Sequence, residues 1–241
     1  MCGIAGVFDL RQKGSVGERA YQMSQTLAHR GPDGQAVWVD ATGAVALAHR
    51  RLSIIDLSET GRQPMISACG RFVISYNGEL YNSEDLRTRL RQCGARFRGT
   101  SDTEVLIEAI ARWGVRAALE QVNGIFAFAV WDEHERRLSI ARDRLGVKPL
   151  YWSLRNGTFL FASELRAMAA LPEFDRTLNL AAVGGFLRRS YIGAPETIYG
   201  AAHSLLPGTL LEIDARGNER SESYWSLADV VAAGANDRAS R

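Results

Sequence analysis

Cys2 has the most distinctive chemistry in the sequence, because it directly follows Met1. Initiator methionine is commonly removed before small residues, and its removal would leave Cys2 with both a thiol and a free α-amine. The unperturbed pKa is about 7.7–8.0 for an α-amine and about 8.5 for a thiol, so the amine can accept the thiol proton near neutral pH. Such a residue has the chemistry of an N-terminal nucleophile that carries its own base. Position 2 alone favours the other interpretation, a small buried cysteine that packs as an apolar residue, and only the rest of the sequence changes this.

The elements that must position this residue alternate irregularly between strand-like and helix-like segments. Residues 125–131 are apolar on both alternating faces, which is typical of a strand covered on both sides. Phe72 to Tyr76 is a predicted strand that Asn77-Gly78 ends, because Asn-Gly is a turn signal, and Asn156-Gly157 is a predicted hairpin turn. The other predicted strands are residues 4–8, 36–39, 44–48, 138–141 and 209–213, and the predicted helices are residues 16–29, 84–93 and 102–113. This pattern indicates sheets packed on each other, with helices outside.

The composition excludes several classes of protein. The 241 residues are 46% hydrophobic and 23% charged, as in ordinary globular domains. The 29 Lys and Arg residues and 27 Asp and Glu residues give a net charge of +2, and the basic residues are spread along the chain. A nucleic-acid or membrane-surface role is therefore not expected.

Cysteine and histidine usage argues against a disulfide scaffold and a metal site. Three cysteines are an odd number, no Cys-x-x-Cys occurs, and the four histidines have no ligand spacing. The N-terminus has no basic leader and no long apolar segment, so we expect a cytoplasmic protein without a membrane span.

Seven motifs occur in order along the chain. They are CGIAGVF (2–8), HRGPDG (29–34), LAHRRLSIID (47–56), NGELYN (77–82), TSDTEV (100–105), GIFAFA (124–129) and ARDRLGVKPLY (141–151). With them the sequence resembles the class II glutamine amidotransferase domains of the N-terminal nucleophile hydrolases. Within that family it is most similar to the N-terminal half of the glutamine-hydrolysing asparagine synthetases.

This resemblance implies a fold and a domain boundary. The fold is α+β, a four-layer α/β/β/α sandwich of two stacked antiparallel sheets with helices outside. Residues 2–225 would form the amidotransferase domain. Residues 226–241 lack apolar periodicity and would form a tail or the start of a linker.

The resemblance also implies which residues carry the chemistry. Cys2 matches the nucleophile that attacks the carboxamide of L-glutamine, releases ammonia and leaves a thioester for water to hydrolyse. Asn77 and Gly78 match the oxyanion hole, through a side-chain N–H and a backbone N–H, and an Asn-Gly corner suits that task because the missing Cβ allows close approach. A plain β-turn is the structural alternative.

The charged residues of the motifs match groups that bind an amino acid. Arg51 matches the residue that holds the α-carboxylate of glutamine, since a guanidinium can bind a carboxylate bidentately. Glu79 and Asp102 match the groups that receive the α-ammonium. By residue type alone Asp102 is equally a helix N-cap, and it can serve both purposes. His49 matches no catalytic role, and Arg50 is interpreted as a solvated charge.

The ATP-dependent half of such a synthetase is not predicted in this chain. Its Ser-Gly-Gly-x-Asp-Ser loop has no counterpart, since the nearest string, residues 183–188, lacks both Ser and Asp. We therefore expect no cofactor here, with ATP and Mg confined to a synthetase domain or subunit that receives the ammonia and lies outside this sequence. Homodimer assembly stays open.

Three functions follow from these residues. The first is a glutaminase that supplies ammonia for the conversion of L-aspartate to L-asparagine. The second is an amidotransferase module that feeds a different acceptor, and the third is a glutamine-binding module without turnover. Release of glutamate from glutamine separates the first two from the third.

Overall fold

Two antiparallel sheets form the centre of the computed structural model, which describes residues 1–11, 14–54, 56 and 58–232. The strands are β1 (Gly3–Asp9), β2 (Gly34–Val39), β3 (Val45–Arg51), β4 (Met65–Ile66), β5 (Phe72–Leu80), β6 (Gly124–Asp132), β7 (Arg137–Arg142), β8 (Tyr151–Arg155), β9 (Thr158–Ala162), β10 (His203–Ser204), β11 (Thr209–Asp214) and β12 (Glu219–Ser223). The first sheet has the order β10-β8-β9-β1-β3-β2, and the second has the order β12-β11-β7-β6-β5-β4.

The helices are α1 (Val16–Gln25), α2 (Ser83–Gln92), α3 (Asp102–Trp113), α4 (Val115–Gln121), α5 (Leu165–Ala169) and α6 (Leu180–Arg189). Of these, α1 and α5 cover the outer face of the first sheet, and α2, α3 and α4 cover that of the second. Residues 183–188 lie inside α6 and form no loop after a strand. None of the helices in the described part of the chain is long and apolar enough to cross a membrane.

Three apolar clusters hold the four layers together. Between the sheets, Ile4 and Phe8 of β1 pack with Trp131 of β6. Alternate residues of β1 point the other way, onto α1 and α5, and the outer face of β5 and β6 packs on α2, α3 and α4. The predicted α/β/β/α sandwich is confirmed.

The prediction that Asn77-Gly78 ends a strand is wrong, because β5 continues through both residues to Leu80. Gly78 lies opposite Phe126 of β6, and a Cβ on Gly78 would lie 2.5 Å from the carbonyl oxygen of Ile125. Glycine is therefore needed for close packing in the strand. The other Asn-Gly pair, residues 156–157, does form the β8–β9 hairpin turn, with positive φ at both residues.

Some element boundaries differ from those predicted. Helix α1 ends at Gln25 because residues 26–30 form turns, and β12 has no counterpart among the predicted strands. Ser101 is the N-cap of α3, with its hydroxyl accepting the Glu104 N–H at 3.3 Å, so Asp102 is the first helical residue instead of the cap. Residues 227–232 are helical, and residues 233–241 of the predicted tail lie outside the described residues.

Candidate active site

Cys2 lies immediately before β1, beside the end of β3. Gly3 pairs with Arg50, so the antiparallel register brings Cys2 next to Arg51 and Leu52. The Leu52 N–H donates to the Cys2 Sγ at 3.3 Å, and the Sγ lies 3.6 Å from the Leu52 carbonyl oxygen. Side chains alternate along a strand, so Cys2 faces the space between the sheets, as Ile4 does. The thiol is partly buried there.

Asn77 faces the same space from the opposite sheet. Two residues earlier in β5, the Ser75 hydroxyl donates to the Ala48 carbonyl of β3 at 3.0 Å, and Asn77 lies on the same face as Ser75. Asn77 is only 2% exposed, yet its Nδ2 has no hydrogen-bond partner among the described residues. Buried polar groups are nearly always paired, so an unpaired amide N–H is a candidate hydrogen-bond donor to a ligand.

The backbone N–H of Gly78 is directed to the open edge of β5. Along this edge the N–H of Tyr76 donates to Gln63 Oε1 at 2.6 Å, and that of Leu80 donates to Asp102 Oδ2 at 3.0 Å. Gly78 lies between them, and antiparallel pairing directs every second residue to the same side. Phe126, opposite Gly78, bonds through its N–H and its carbonyl to Asp143. Asn77 and Gly78 thus offer adjacent donors.

Asp102 lies against the same edge, at the start of α3. Its Oδ2 accepts the Tyr76 hydroxyl at 2.8 Å and the Leu80 N–H at 3.0 Å. Burial raises the pKa of Asp102, although these two donors favour its ionised form. A cation such as an α-ammonium would offset that cost of burial.

Arg51 and Glu79 complete the charged part of the site. The Arg51 guanidinium donates to the Ser58 carbonyl at 3.1 Å and to the Asp56 carbonyl. Glu79 is exposed and lines the same cavity as Arg51. The predicted residues thus contribute one positive and two negative groups beside the thiol, and the Asp56 carboxylate lines the same cavity.

The two neighbours of Arg51 have structural contacts. The interpretation of Arg50 as a solvated charge is wrong, because it is 9% exposed and donates to the Ser24 carbonyl and to Gln25 Oε1, each at 3.0 Å. His49 is buried, and burial lowers its pKa from 6.5 to about 4. Its Nε2 lies 3.0 Å from the Tyr76 carbonyl, so a neutral ring donates from β3 to β5.

A cavity of about 140 Å³ brings most of the predicted residues together. It is lined by Cys2, Arg51, Gly78, Glu79 and Asp102, and also by Gln63, Tyr76, Ser101 and Thr103. Asn77, between Tyr76 and Gly78 in β5, is not among the residues that line it. Sequence reasoning missed Gln63 and Tyr76, although Tyr76 directly precedes the NGELYN motif.

Outside this site, the described residues form a larger cavity but no group that could hold a metal ion. A larger cavity, about 460 Å³, lies around Asp9, at the opposite end of β1 from Cys2. No group of three or more His, Cys, Asp or Glu side chains in the described ranges could hold a metal ion.

Comparisons with known proteins identify the family of the chain. A sequence model for the glutamine amidotransferase domain matches residues 1–225. Asparagine synthetase [glutamine-hydrolyzing] 3 of Bacillus subtilis (strain 168) is 42% identical over 215 residues, which are 87% of this chain and 32% of that protein. Asparagine synthetase [glutamine-hydrolyzing] 2 of the same organism is 32% identical over 240 residues, covering 96% of this chain and 31% of that protein. The chain spans about a third of the length of these relatives.

A solved structure shows the same fold. It is glutamine phosphoribosylpyrophosphate amidotransferase from B. subtilis in complex with ADP and GMP, with a TM-score of 0.68 and 21% identity. The match covers 94% of this chain and 50% of that one. At this identity the similarity concerns the fold alone.

Proposed function

The chain belongs to the glutamine amidotransferase domain family, and we propose that it hydrolyses L-glutamine to L-glutamate and ammonia through a thioester at Cys2. The observation that carries the proposal is the single cavity on which Cys2, Arg51, Gly78, Glu79 and Asp102 meet. These groups match a zwitterionic amino acid whose side chain carries an electrophilic carbon.

The reaction begins at the thiol. With Met1 removed, the α-amine of Cys2 accepts the Sγ proton, and the sulfur attacks the Cδ of the glutamine side chain. The carbonyl oxygen becomes an oxyanion, which accepts hydrogen bonds from Asn77 Nδ2 and the Gly78 N–H. Both donors belong to the paired strand β5, and Asn77 Nδ2 has no hydrogen-bond partner among the described residues, which supports a hole that needs little reorganisation as the charge develops.

Collapse of this intermediate releases ammonia and leaves a thioester. The ammonium of Cys2 gives its proton to the leaving nitrogen, and the C–N bond breaks. Water then attacks the thioester carbonyl while the amine again accepts a proton. The C–S bond breaks, the sulfur takes up the proton, and glutamate leaves.

Charge complementarity supports recognition of the amino-acid end of glutamine. The Arg51 guanidinium binds the α-carboxylate, and Asp102 and Glu79 receive the α-ammonium. Since Asp102 is buried and accepts hydrogen bonds at Oδ2, its carboxylate has a defined orientation. A reducing compartment such as the cytoplasm suits this chemistry, because the nucleophile has to stay a thiol.

We propose that the ammonia serves an acceptor of the asparagine-synthetase type, in a domain or subunit that binds ATP and Mg. The names of the two Bacillus relatives support this assignment. Another acceptor is the alternative, because amidotransferases with the same fold include a phosphoribosylpyrophosphate enzyme. Formation of asparagine from aspartate, ATP and glutamine by the native gene product tests the acceptor.

The hydrolytic step is tested on the Met1-free chain. We expect equal release of glutamate and ammonia from L-glutamine, and a Cys2→Ala variant that binds glutamine but releases neither product. Glutamine binding without turnover in the Met1-free wild type would instead favour a binding module. Turnover by the Cys2→Ala variant would exclude the thioester.

A further inference from the structure

Asp56 belongs to the LAHRRLSIID motif but has no part in the chemistry above. Its side chain is 8% exposed and lines the cavity beside Arg51. The Oδ1 atom accepts the Ser58 N–H at 2.9 Å and the Ser58 hydroxyl at 2.6 Å. The Oδ2 atom accepts the Thr60 hydroxyl at 3.1 Å and the Thr100 N–H at 3.2 Å. Oδ1 thus closes a local turn at Ser58, whereas Oδ2 binds both the nearby Thr60 and the distant Thr100.

The local turn is the one that holds Arg51. Both carbonyls that accept from the Arg51 guanidinium, those of Asp56 and Ser58, belong to it. A change in this turn therefore changes the orientation of Arg51 at the cavity. The Ser58 hydroxyl, together with the N–H groups of Ser58 and Thr100, holds the pKa of Asp56 well below its usual range, so the carboxylate is ionised at neutral pH.

The hydrogen bond to Thr100 joins Asp56 to the segment just before α3, where Asp102 is the first residue. Thr100 precedes Asp102 by two residues, and the segment before it is held by Glu104, which accepts the N–H groups of Arg98 at 2.7 Å and Gly99 at 2.9 Å. The junction is tight, because a Cβ on Gly99 would overlap with the Thr60 hydroxyl and lie 2.8 Å from Asp56 Oδ2.

We propose that Asp56 is a positioning residue that sets the spacing between Arg51 and Asp102, and thereby the affinity for the α-carboxylate and α-ammonium of glutamine. This inference rests on the proposed function, which assigns the two ends of the amino acid to Arg51 and Asp102. The reacting carboxamide lies at the other end of the substrate, so Asp56 acts on KM and hardly on kcat.

Asp56→Asn tests the crossing contact, because an amide has only one accepting oxygen. The amide oxygen can close the turn at Ser58, but the NH₂ group cannot accept the Thr100 N–H. We expect a rise of about tenfold in the KM for glutamine, the scale of one weakened hydrogen bond between a displaced Arg51 or Asp102 and the charged substrate, and a kcat within about twofold of wild type. Gly99→Ala, which forces the same junction apart, should do the same.

A matched control is Asp214→Ala in the β11–β12 hairpin. Asp214 also closes a turn with its carboxylate, accepting the N–H groups of Arg216 at 2.8 Å and Asn218 at 3.0 Å, but it lies outside the site. We expect an unchanged KM for this variant. An Asp56→Asn protein that folds and has the wild-type KM would overturn the proposal, as would equal effects of Asp56→Asn and Asp214→Ala.

Two further measurements separate this inference from the hydrolytic function. Binding of L-glutamine to a Cys2→Ala background can be measured by calorimetry without turnover. Asp56→Asn should weaken this binding about tenfold, as it raises KM, because the same contacts with the substrate are weakened. Unchanged binding there refutes the role of Asp56 even if the wild type hydrolyses glutamine. The rate of Cys2 alkylation by iodoacetamide, followed by peptide mass, should not change, because that reagent has no amino-acid end. A parallel loss of alkylation would show a general disturbance of the site.

Discussion

Replacing Asn77 by alanine should lower kcat strongly without weakening the fold. Its Nδ2 is buried and has no hydrogen-bond partner among the described residues, so no contact of this N–H within the folded protein is lost. A buried unsatisfied donor costs about 1–3 kcal/mol, and its removal offsets the cost of the small cavity that alanine leaves. We therefore expect a change of less than about 1 kcal/mol in the free energy of unfolding.

The kinetic effect should be large, because in the proposed mechanism the Asn77 N–H bonds the oxyanion that forms in the transition state. One oxyanion donor is worth about 10²–10³ in rate, or about 2.7–4 kcal/mol. We expect kcat to fall by that factor and KM to change little, since the Gly78 N–H remains. Glutamate release at saturating glutamine gives kcat, and urea unfolding gives the stability.

Ser75→Ala is a control on the same strand and face, and we expect it to lose stability and keep activity. The Ser75 hydroxyl is fully buried and donates to Ala48 at 3.0 Å, so its loss should cost about 1 kcal/mol of stability. Its kcat should stay at the wild-type value, because the hydroxyl is already paired. If Asn77→Ala has normal kcat, or loses activity only in proportion to its folded fraction, the assignment of the oxyanion donor is wrong.

Three further results are expected. Arg51→Ala and Arg51→Lys should both raise the KM for glutamine, because neither side chain can bind a carboxylate bidentately. The rise should be about tenfold or more for alanine, and an unchanged KM in both variants would exclude Arg51 from the site. Retention of Met1 should lower the rate of glutamate release about 10²–10⁴-fold, because the Cys2 amine is then an amide and cannot act as a base. Calorimetry would show whether glutamine still binds to that protein. Full activity of a verified Met1-containing protein would refute the N-terminal base. His49 should stay neutral in the folded protein down to about pH 4, whereas in an unfolded chain it is protonated below about pH 6.5. The free energy of unfolding should therefore fall by about 3 kcal/mol as the pH is lowered from about 6.5 to about 4. An NMR titration midpoint of the His49 ring near pH 6.5 would contradict this.

The sequence alone determined the layers and most of the residues that meet at the site. Local patterns suffice for the layers, because the apolar faces of residues 125–131 and the caps and glycines around the helices are properties of short segments. The motifs, through the family that they resemble, predicted Cys2, Arg51 and Asp102 as site residues, and all three line one cavity.

Only the tertiary structure decided how those residues are held. Asn77-Gly78 has the local preferences of a turn, but pairing with β6 along nine residues keeps it in a strand. The unpaired amide of Asn77, the Tyr76–Asp102 hydrogen bond and the burial of Arg50 all depend on contacts between segments more than 20 residues apart. Such contacts arise from strand register and from the packing of helices on sheets, and no short stretch of sequence contains them.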